Sequence, residues 1–574
     1  MDGLVTSHRK RATTETLKEI SSQRWDAVIV GSGAGGGPAA WRLSAKGWRV
    51  LVLEKGPRIE PRGVIPDEVG SCRRDRFVPS ISDDPHMLVE GAGGQAHKTY
   101  EGWTSSCVGG GTVHMSAMLY RMHEEDFDGQ TRYGQPKGST LIDWPIQYAD
   151  MQPYYDEIQE YLQLSGQSGA NLFGPKKIIY PQAPLPTHVL ARRIDRVAWA
   201  KGYHPFATPR GILTAEHMSR QPCIDCGYCG AYACPVSAKA SVADSFLPAA
   251  EQTGRCRIVP GAQAVSIELS SLGEAKAIIA ADDKGNRHKI EASTILLAAS
   301  AVESARLLLL SQDANHPKGI GNKDGQVGKN LVLSLDSPGR AVFAYPSVEF
   351  PRETDNQYFI NRSFQDRYVD RDAPGPYPKG GTLVIDRAHR NPIQQGLRAL
   401  RRDGPSDMPL GPELMERLLI ALSEERSIAY ECFVEMLPRP GARVGLDSKQ
   451  TDSLGLPVAR IEVDDFPHEA ERVRRLRDLA HDVLENLSPN LLRMEEDGPL
   501  KRTYFLQAGT CRMGNDPASS VVDSYGQVHG VPRLHVVDGA TLPTMGGVPP
   551  TLTIMANSLR IADNLNRVVK QVSE

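Results

Sequence analysis

Nowhere does the chain carry an unbroken apolar run of the roughly 18 residues that a membrane-spanning helix requires. Arg9, Lys10 and Arg11 near its start are followed by no apolar segment of the kind a secretory leader needs. A membrane span is therefore not expected, and the cytoplasm is the expected compartment. Net charge is equally scarce: 66 Lys and Arg against 69 Asp and Glu leave −3. There is no basic field to gather nucleic acid and no strong charge to demand an opposite partner. Cysteine is sparse, nine in 574 residues, and four of the nine fall between Cys223 and Cys234. That clustering argues for a local site rather than a spread disulfide framework. Internal repeats and low-complexity tracts are also missing, which excludes a solenoid.

What is present is an ordinary globular composition, 40% hydrophobic and 24% charged. The length exceeds the ~250–300 residues at which one hydrophobic core stops growing, so at least two lobes are expected. Trp25-Asp-Ala-Val-Ile-Val30 reads as a buried strand, followed by Gly31-Ser-Gly-Ala-Gly-Gly-Gly37, a helical run over 38–46, and a second strand closing on Glu54. The spacing predicts a helix over 150–162 leaving the first lobe, a strand at 294–298 with a Leu-rich helix over 303–310, and a last helix over 552–569. Between 336 and 500 strand-like pieces such as 340–345 alternate with an Arg-dense stretch at 387–426, expected to be helical on a surface.

Gly31, Gly33 and Gly36 match the dinucleotide fingerprint, in which glycines permit a tight turn, close backbone approach to a pyrophosphate, and close helix packing. The phosphates would sit on the helix N-terminus, where free N–H groups and the dipole favour an anion. Ser32 and Ala34 belong to the same turn, and Glu54, with Lys55 beside it, follows at the ~20-residue distance of the acid that accepts ribose hydroxyls. A second small-residue loop, Val108-Gly-Gly-Gly-Thr-Val-His-Met-Ser-Ala-Met118, suits backbone laid against a flat ring, and a third lies at Asp538-Gly539 ahead of Gly546-Gly547. The glycines alone do not distinguish NAD from FAD.

Taken together these segments resemble the glucose-methanol-choline (GMC) oxidoreductases, a family of FAD enzymes. The likeness runs through 31–54, 109–120, Trp144-Pro-Ile with Tyr154-Tyr155, 298–311, Gly509-Thr-Cys-Arg-Met-Gly514 with Val521-Val-Asp523, and 536–555. Within the family the chain is most similar to the branch of gluconate-type dehydrogenases, pyranose oxidase and aminoglycoside 6'-oxidases. The resemblance implies an α/β fold: a Rossmann-like FAD domain in three pieces (25–145, 206–335 and 501–574), linking helices over 146–205, and a discontinuous substrate domain on an antiparallel sheet (336–500, α+β). It implies FAD contacts from Gly31, Ser32, Gly33, Ala34, Gly36, Glu54, Lys55, Gly110, Thr112, His114, Ser116, Ala117, Val265, Ala299, Asp538, Gly539 and Thr551. His114 could bond the flavin covalently, touch it without a bond, or merely pack. A helix starting near Thr551 would aim its N-terminal dipole at the ring.

The implied activity is hydride transfer from a CH–OH group of a small polyol, sugar or aminoglycoside-like compound to flavin, with a nearby base taking the hydroxyl proton. The positions where the family carries its catalytic His and its Asn or His partner here read Leu506 and Pro549. Neither can take a proton. Gln507 is the remaining candidate beside the vacancy, and a flavoenzyme performing desaturation, isomerisation or elimination is the rival reading. Cys223, Cys226, Cys229 and Cys234 approximate ferredoxin spacing with one extra residue, and could hold an iron–sulfur cluster or zinc, form disulfides, or pack as free thiols. With a cluster the chain could be an electron-transfer flavoprotein handing electrons to a redox protein. Without one, dioxygen or a small quinone is the expected acceptor.

Overall fold

The run Trp25–Val30 is buried at five of its six positions, the pattern of a strand covered on both faces, and it forms the middle of a parallel core. Val50–Glu54 pairs along one side of it and Arg287–Leu297 along the other, with Ala27 opposite both Val50 and Thr294. Cys256–Pro260 extends the first flank and Leu534–Val536 the second, both parallel. The early part of Arg287–Leu297 leaves this core to pair antiparallel with Ala275–Ala281, which pairs in turn with Gln263–Leu269. Helix Gly36–Ala45 makes the first crossover. Its buried Gly36, Gly37, Ala39 and Ala40 let it lie close between Phe246–Gln252 and Thr551–Ser573. The computed structural model describes residues 11–59, 67–91, 93–347, 359–375, 377–387, 391–400, 409–465, 467–496 and 500–573.

The second sheet has eight strands, all paired antiparallel. Its centre is Glu425–Glu435, which carries Gly339–Ala344 and Val332–Asp336 along one edge and Gly381–Arg387 along the other. Lys501–Ala508 pairs onto Val332–Asp336, and Phe206–Ala207 reaches the sheet through Arg362–Phe364. The sheet therefore draws strands from both sides of the 336–500 interval. A third sheet of four strands joins Arg443–Thr451 and Pro457–Val463 to His86–Glu90 and His97–Thr99, against helix Ala301–Leu310. Residues 443–463, expected with the substrate lobe, thus share a sheet with an early segment of the chain. Within 387–426 the described residues form the helices Pro392–Leu400 and Pro412–Leu419; 388–390 and 401–408 lie outside the described residues.

A buried polar network fixes the approach to the last helix. Asp126 pairs with Lys379, both essentially without solvent contact. Its Oδ2 also accepts hydrogen bonds from Tyr368 Oη and the His123 backbone N–H, each at 2.6 Å. Tyr368 Oη in turn accepts from Gly547 N–H at 3.1 Å, and Glu435 Oε2 accepts from Met545 and Gly546 N–H at 2.9 and 2.7 Å. Residues 544–547 are thereby held against the eight-stranded sheet, which sets where Pro549 and Pro550 enter the helix. Removing one member of a buried ion pair leaves the other charge uncompensated and costs about 3–5 kcal/mol. Asp126→Ala is accordingly expected to lower the unfolding free energy by about that amount, seen as a lower urea midpoint followed by tryptophan fluorescence; an unchanged midpoint would show that the network carries no stability.

Candidate active site

Three backbone turns meet at the C-terminal ends of the parallel strands. Gly31 adopts φ +98°, and a Cβ there would stand 2.3 Å from the Ala298 carbonyl oxygen, so only glycine fits. Gly110 adopts φ +58°, and a Cβ there would stand 2.7 Å from Gly33 Cα. Helix Gly36–Ala45 begins beside these turns with no side-chain cap and no acid in its first turn, leaving N–H donors and positive dipole for an anion. Glu54 is buried at the end of its strand. Its Oε2 accepts from Ser32 N–H (3.1 Å) and Ser32 Oγ (2.6 Å), and its Oε1 accepts from Gly56 N–H (2.8 Å). Ser32 Oγ also accepts from Gly109 N–H at 3.0 Å, which ties the two glycine loops together.

From this cradle extends a cavity of about 470 Å³, within the usual range of a cofactor site. Gly31, Ser32, Gly33, Ala34, Glu54, Lys55, Gly110, Thr112, His114, Ser116, Ala117, Ala299, Asp538, Gly539 and Thr551 all reach its wall, as do Leu506, Gln507 and Pro549. Two expected residues do not. Gly36 lies behind the wall, under the Gly31 carbonyl. Val265 is the extra residue where the pairing register shifts between Ala264 and Ser266, and it turns into the core while Ala264 reaches the wall. The glycine cradle, the uncapped helix and the acid at the strand end together fit a dinucleotide.

Several wall residues were not legible in the sequence. Lys55 pairs with Asp84 and lies 4.6 Å from the Trp103 ring centroid, and Trp103 stacks on His86 at 4.7 Å. His86 Nε2 meets Glu303 Oε1 at 3.0 Å, and Arg306 bonds both Glu303 (3.1 Å) and Asp452 (2.8 Å). Burial alone would raise the Glu303 carboxyl, but Arg306, His86 and Lys55 outweigh it and hold the group well below the usual carboxylate range. Arg74 donates to the Trp103 and Thr104 carbonyls and lies over the Phe505 ring. Apart from Lys55, no local pattern marked these positions, because contacts such as His86–Glu303, Arg306–Asp452 and Arg74–Phe505 join segments far apart in the chain.

At the other end of the cavity Leu506, Pro549 and Pro550 present no titratable group. Gln507 is occupied with backbone: its Oε1 accepts from Val302 N–H at 2.8 Å, and its Nε2 donates to the Gly102 and Tyr504 carbonyls at 2.7 and 2.8 Å. His114 stacks on Phe77 at 4.5 Å and donates from Nε2 to the Thr104 carbonyl at 3.1 Å; burial, with Arg74 and Lys239 nearby, pushes its pKa down to about 3. It is a neutral ring. Asp538 Oδ2 accepts from Ser300 N–H (2.8 Å) and Ser304 Oγ (2.6 Å), and Oδ1 from Ala540 N–H (2.9 Å), while burial raises its pKa to about 6.

The eight-stranded sheet contributes Thr503, Phe505, Asp336, Glu431 and Phe433 to the wall. Asp336 accepts from Cys432 N–H at 2.7 Å. Glu431 has no hydrogen-bond or ion-pair partner among the described residues. It also borders a second cavity of about 270 Å³, whose wall includes Arg210, Arg340, Asp386, Arg387 and Arg398. A sequence signal existed for Glu431: on Glu425–Glu435 it is the charged residue between Ala429 and Phe433 on one face, opposite buried Tyr430 and Cys432.

The cysteine expectation is corrected. All nine cysteines are free thiols, and among the described residues no three Cys, His, Asp or Glu side chains are placed to hold a metal ion. Left-handed residues at Asp225, Gly227 and Ala231 turn the chain between the thiols. Burial pushes the Cys223 thiol up to about 11 and the Cys229 thiol up to about 12. Cys223, Cys226, Cys229 and Cys234 are therefore not an iron–sulfur or zinc site in this structure.

Family models described as GMC oxidoreductase match residues 86–336 and 438–558, and a model of the NAD(P)-binding Rossmann-like domain matches 29–62. The chain belongs to the GMC oxidoreductase family and is an FAD-dependent oxidoreductase. It is 30% identical to 6'''-hydroxyparomomycin C oxidase of Streptomyces lividus, over 93% of this chain and 90% of that protein. It is 30% identical to paromamine 6'-oxidase of Streptomyces fradiae (94% and 90%) and 26% identical to the fructose dehydrogenase large subunit of Gluconobacter japonicus (95% and 98%). Among solved structures, a formate oxidase of Aspergillus oryzae shares the fold with a TM-score of 0.64 at 15% identity, covering 96% of this chain and 99% of that one. Among the described residues no helix is long and apolar enough to cross a membrane.

Two outcomes follow from this geometry. Gly110→Val would drive a branched side chain into Gly33 and is expected to leave the folded protein without FAD, read as flavin absorbance per chain after desalting. His114 and His535 are both buried neutral, with His535 held down to about 4 by burial. A depressed histidine contributes stability that is present above its unfolded value of 6.5 and is lost as pH falls toward the folded value. The thermal midpoint is expected to fall between pH 6.5 and about 4, and His535→Gln to flatten that slope. An unchanged slope would remove His535 from the account.

Proposed function

We propose that this enzyme oxidises a CH–OH group of a small hydroxyl compound, a polyol, a sugar or a sugar-derived molecule of the aminoglycoside kind. The observation that carries the reading is the continuity of the dinucleotide cradle with a cavity that runs on to the eight-stranded sheet and borders a second, polar one. When bound, FAD supplies the two-electron acceptor for the carbon-bound hydrogen. Gly31, Gly33, Ser32 and Glu54 would hold its adenosine diphosphate half, and the 110–117 loop, Asp538, Gly539 and the Thr551 helix end its ring. His114, a neutral donor to a backbone carbonyl, would lie against that ring. Gln507 would position the 102 and 302 backbone rather than exchange a proton, since three of its hydrogen-bonding positions are already filled. The names of the relatives, oxidases and dehydrogenases of hydroxyl compounds, support the substrate class; the acceptor is dioxygen, a quinone or a redox protein.

Leu506 and Pro549 favour one second reading, a flavoenzyme that rearranges or desaturates its substrate without oxidising an alcohol. Anaerobic addition of glycerol, glucose, gluconate and paromamine separates the two. Bleaching of the flavin with a product two hydrogens lighter by mass that carries a new carbonyl group, trapped as a hydrazone, is the expected result for at least one of them. A product of unchanged mass, or no bleaching by any hydroxyl compound, would overturn alcohol oxidation.

A further inference from the structure

Oxidation of an alcohol releases a proton from oxygen as well as a hydrogen from carbon, so a site lined by Leu506 and Pro549 must find its base elsewhere. The titratable side chains of the cavity can be taken in turn. Glu54 is occupied by Ser32 and Gly56, Glu303 by His86 and Arg306, and Asp538 by Ser300, Ser304 and Ala540. Lys55 is paired with Asp84, and His114 donates to a backbone carbonyl. Asp336 accepts from the Cys432 and Ser337 N–H groups, the Cys72 thiol, pushed up by burial, accepts from Asn391 Nδ2, and Arg74 and Arg306 are cations bound to a carbonyl and a carboxylate. That leaves Glu431, which opens into the cavity that also contains Leu506 and Pro549 and has no partner of its own among the described residues.

We propose that Glu431 is the catalytic base of this enzyme, supplied by the central strand of the eight-stranded sheet, while Leu506 on the strand Lys501–Ala508 and Pro549 carry no base. The inference rests on the alcohol oxidation argued above. The hydroxyl proton passes to the Glu431 carboxylate as the C–H bond breaks, and its hydrogen leaves with two electrons for the bound flavin. The alcohol becomes a carbonyl, the flavin is reduced by two electrons, and the carboxyl later returns its proton to water in the second cavity, which it also borders.

Placement in a central strand gives this carboxylate a fixed direction, because Val384 is paired across from it and Cys432 beside it is held by Asp336. The charged and titratable groups around it are Asp336, Asp386, Arg210, Arg340, Arg387, Arg398, Cys72 and Cys229. Arg210 is already bound to Asp386, Asn361 and the Ser116 carbonyl. The Glu431 side chain is exposed to the cavities it borders; enclosure by the surrounding protein, then Asp386, raise its carboxyl while Arg210 lowers it, with a net upward shift. A base raised toward the working pH is what proton abstraction from an alcohol favours.

The test uses the flavin-loaded enzyme and the variants Glu431→Gln and Glu431→Asp. Glu431→Gln is expected to slow anaerobic bleaching by about 10²- to 10⁴-fold and to abolish its rise with pH, with the saturating substrate concentration little changed. Glu431→Asp is expected to keep the pH dependence at a reduced rate. A readout independent of turnover is the infrared carboxyl band during a pH titration. Besides the bands of other raised carboxyls, such as Asp538 at about 6, one further band titrating above the ~4.3 of a free glutamate is expected in the wild type and should be missing from Glu431→Gln, read in the difference between the two spectra. Bleaching by Glu431→Gln within about threefold of wild type, or survival of that further band in the variant, overturns the proposal; if Glu431→Gln loses its flavin, the same outcomes are read from Glu431→Asp. Should no hydroxyl compound bleach the wild type, the alcohol-oxidation reading fails by itself, while the infrared band still decides whether Glu431 exchanges a proton.

Discussion

The site depends on the bond between Ser32 and Glu54. Glu54 closes the second strand of the parallel core, Ser32 sits in the first glycine turn, and the Ser32 hydroxyl accepts from Gly109 in the second. One buried carboxylate thereby sets the spacing between a strand end, a helix N-terminus and a loop more than fifty residues further on. Buried carboxylates that accept several N–H and O–H donors cost little once satisfied and a great deal when stripped of partners. Asp538 repeats the device at the far end, joining the 300–304 turn to the short helical turn after the last strand. The cavity is the space left between two such clamps.

The charges of the wall divide along the same axis. Near the first clamp they neutralise one another: Lys55 with Asp84, Glu303 with His86 and Arg306, Arg306 with Asp452. Arg306 holds Glu303 and Asp452 below the usual carboxylate range, and groups paired in this way orient a ligand without exchanging protons with it. Near the eight-stranded sheet the pattern changes, for Glu431 meets no counter-charge at bonding distance and faces an arginine-rich neighbour cavity. Proton chemistry has a physical place there and none at the first clamp. The Asp126–Lys379–Tyr368 network and Glu435 stand behind this end, anchoring residues 544–547 so that the wall at Pro549 and Pro550 is rigid.

Leucine at 506, on the strand Lys501–Ala508, and proline at 549 leave this part of the wall without hydrogen-bonding side chains at those two positions. They also make that wall apolar, which strengthens any remaining electrostatic interaction by excluding water. A strand residue is a suitable substitute source of a proton acceptor, because alternate positions of one strand point to one face and Glu431 and Phe433 present themselves together.

Much of the cofactor half was readable from local pattern. Gly31, Gly33 and Glu54 are spaced by the geometry of one strand–turn–helix–strand unit, and the second loop and the Asp538-Gly539 strand end carry small residues because backbone must approach closely there. Those requirements act over a few residues, so the amino-acid order alone determines them. The same order exposed the loss at Leu506 and Pro549. It misplaced Val265, since a bulge that shifts pairing by one residue leaves no mark in composition, and it suggested a metal site from cysteine spacing that the turns at Asp225 and Ala231 do not assemble. Glu431 and Arg306 became site residues only when segments far apart in sequence were brought together, because whether a carboxylate is satisfied or unpartnered depends on neighbours that folding alone brings near.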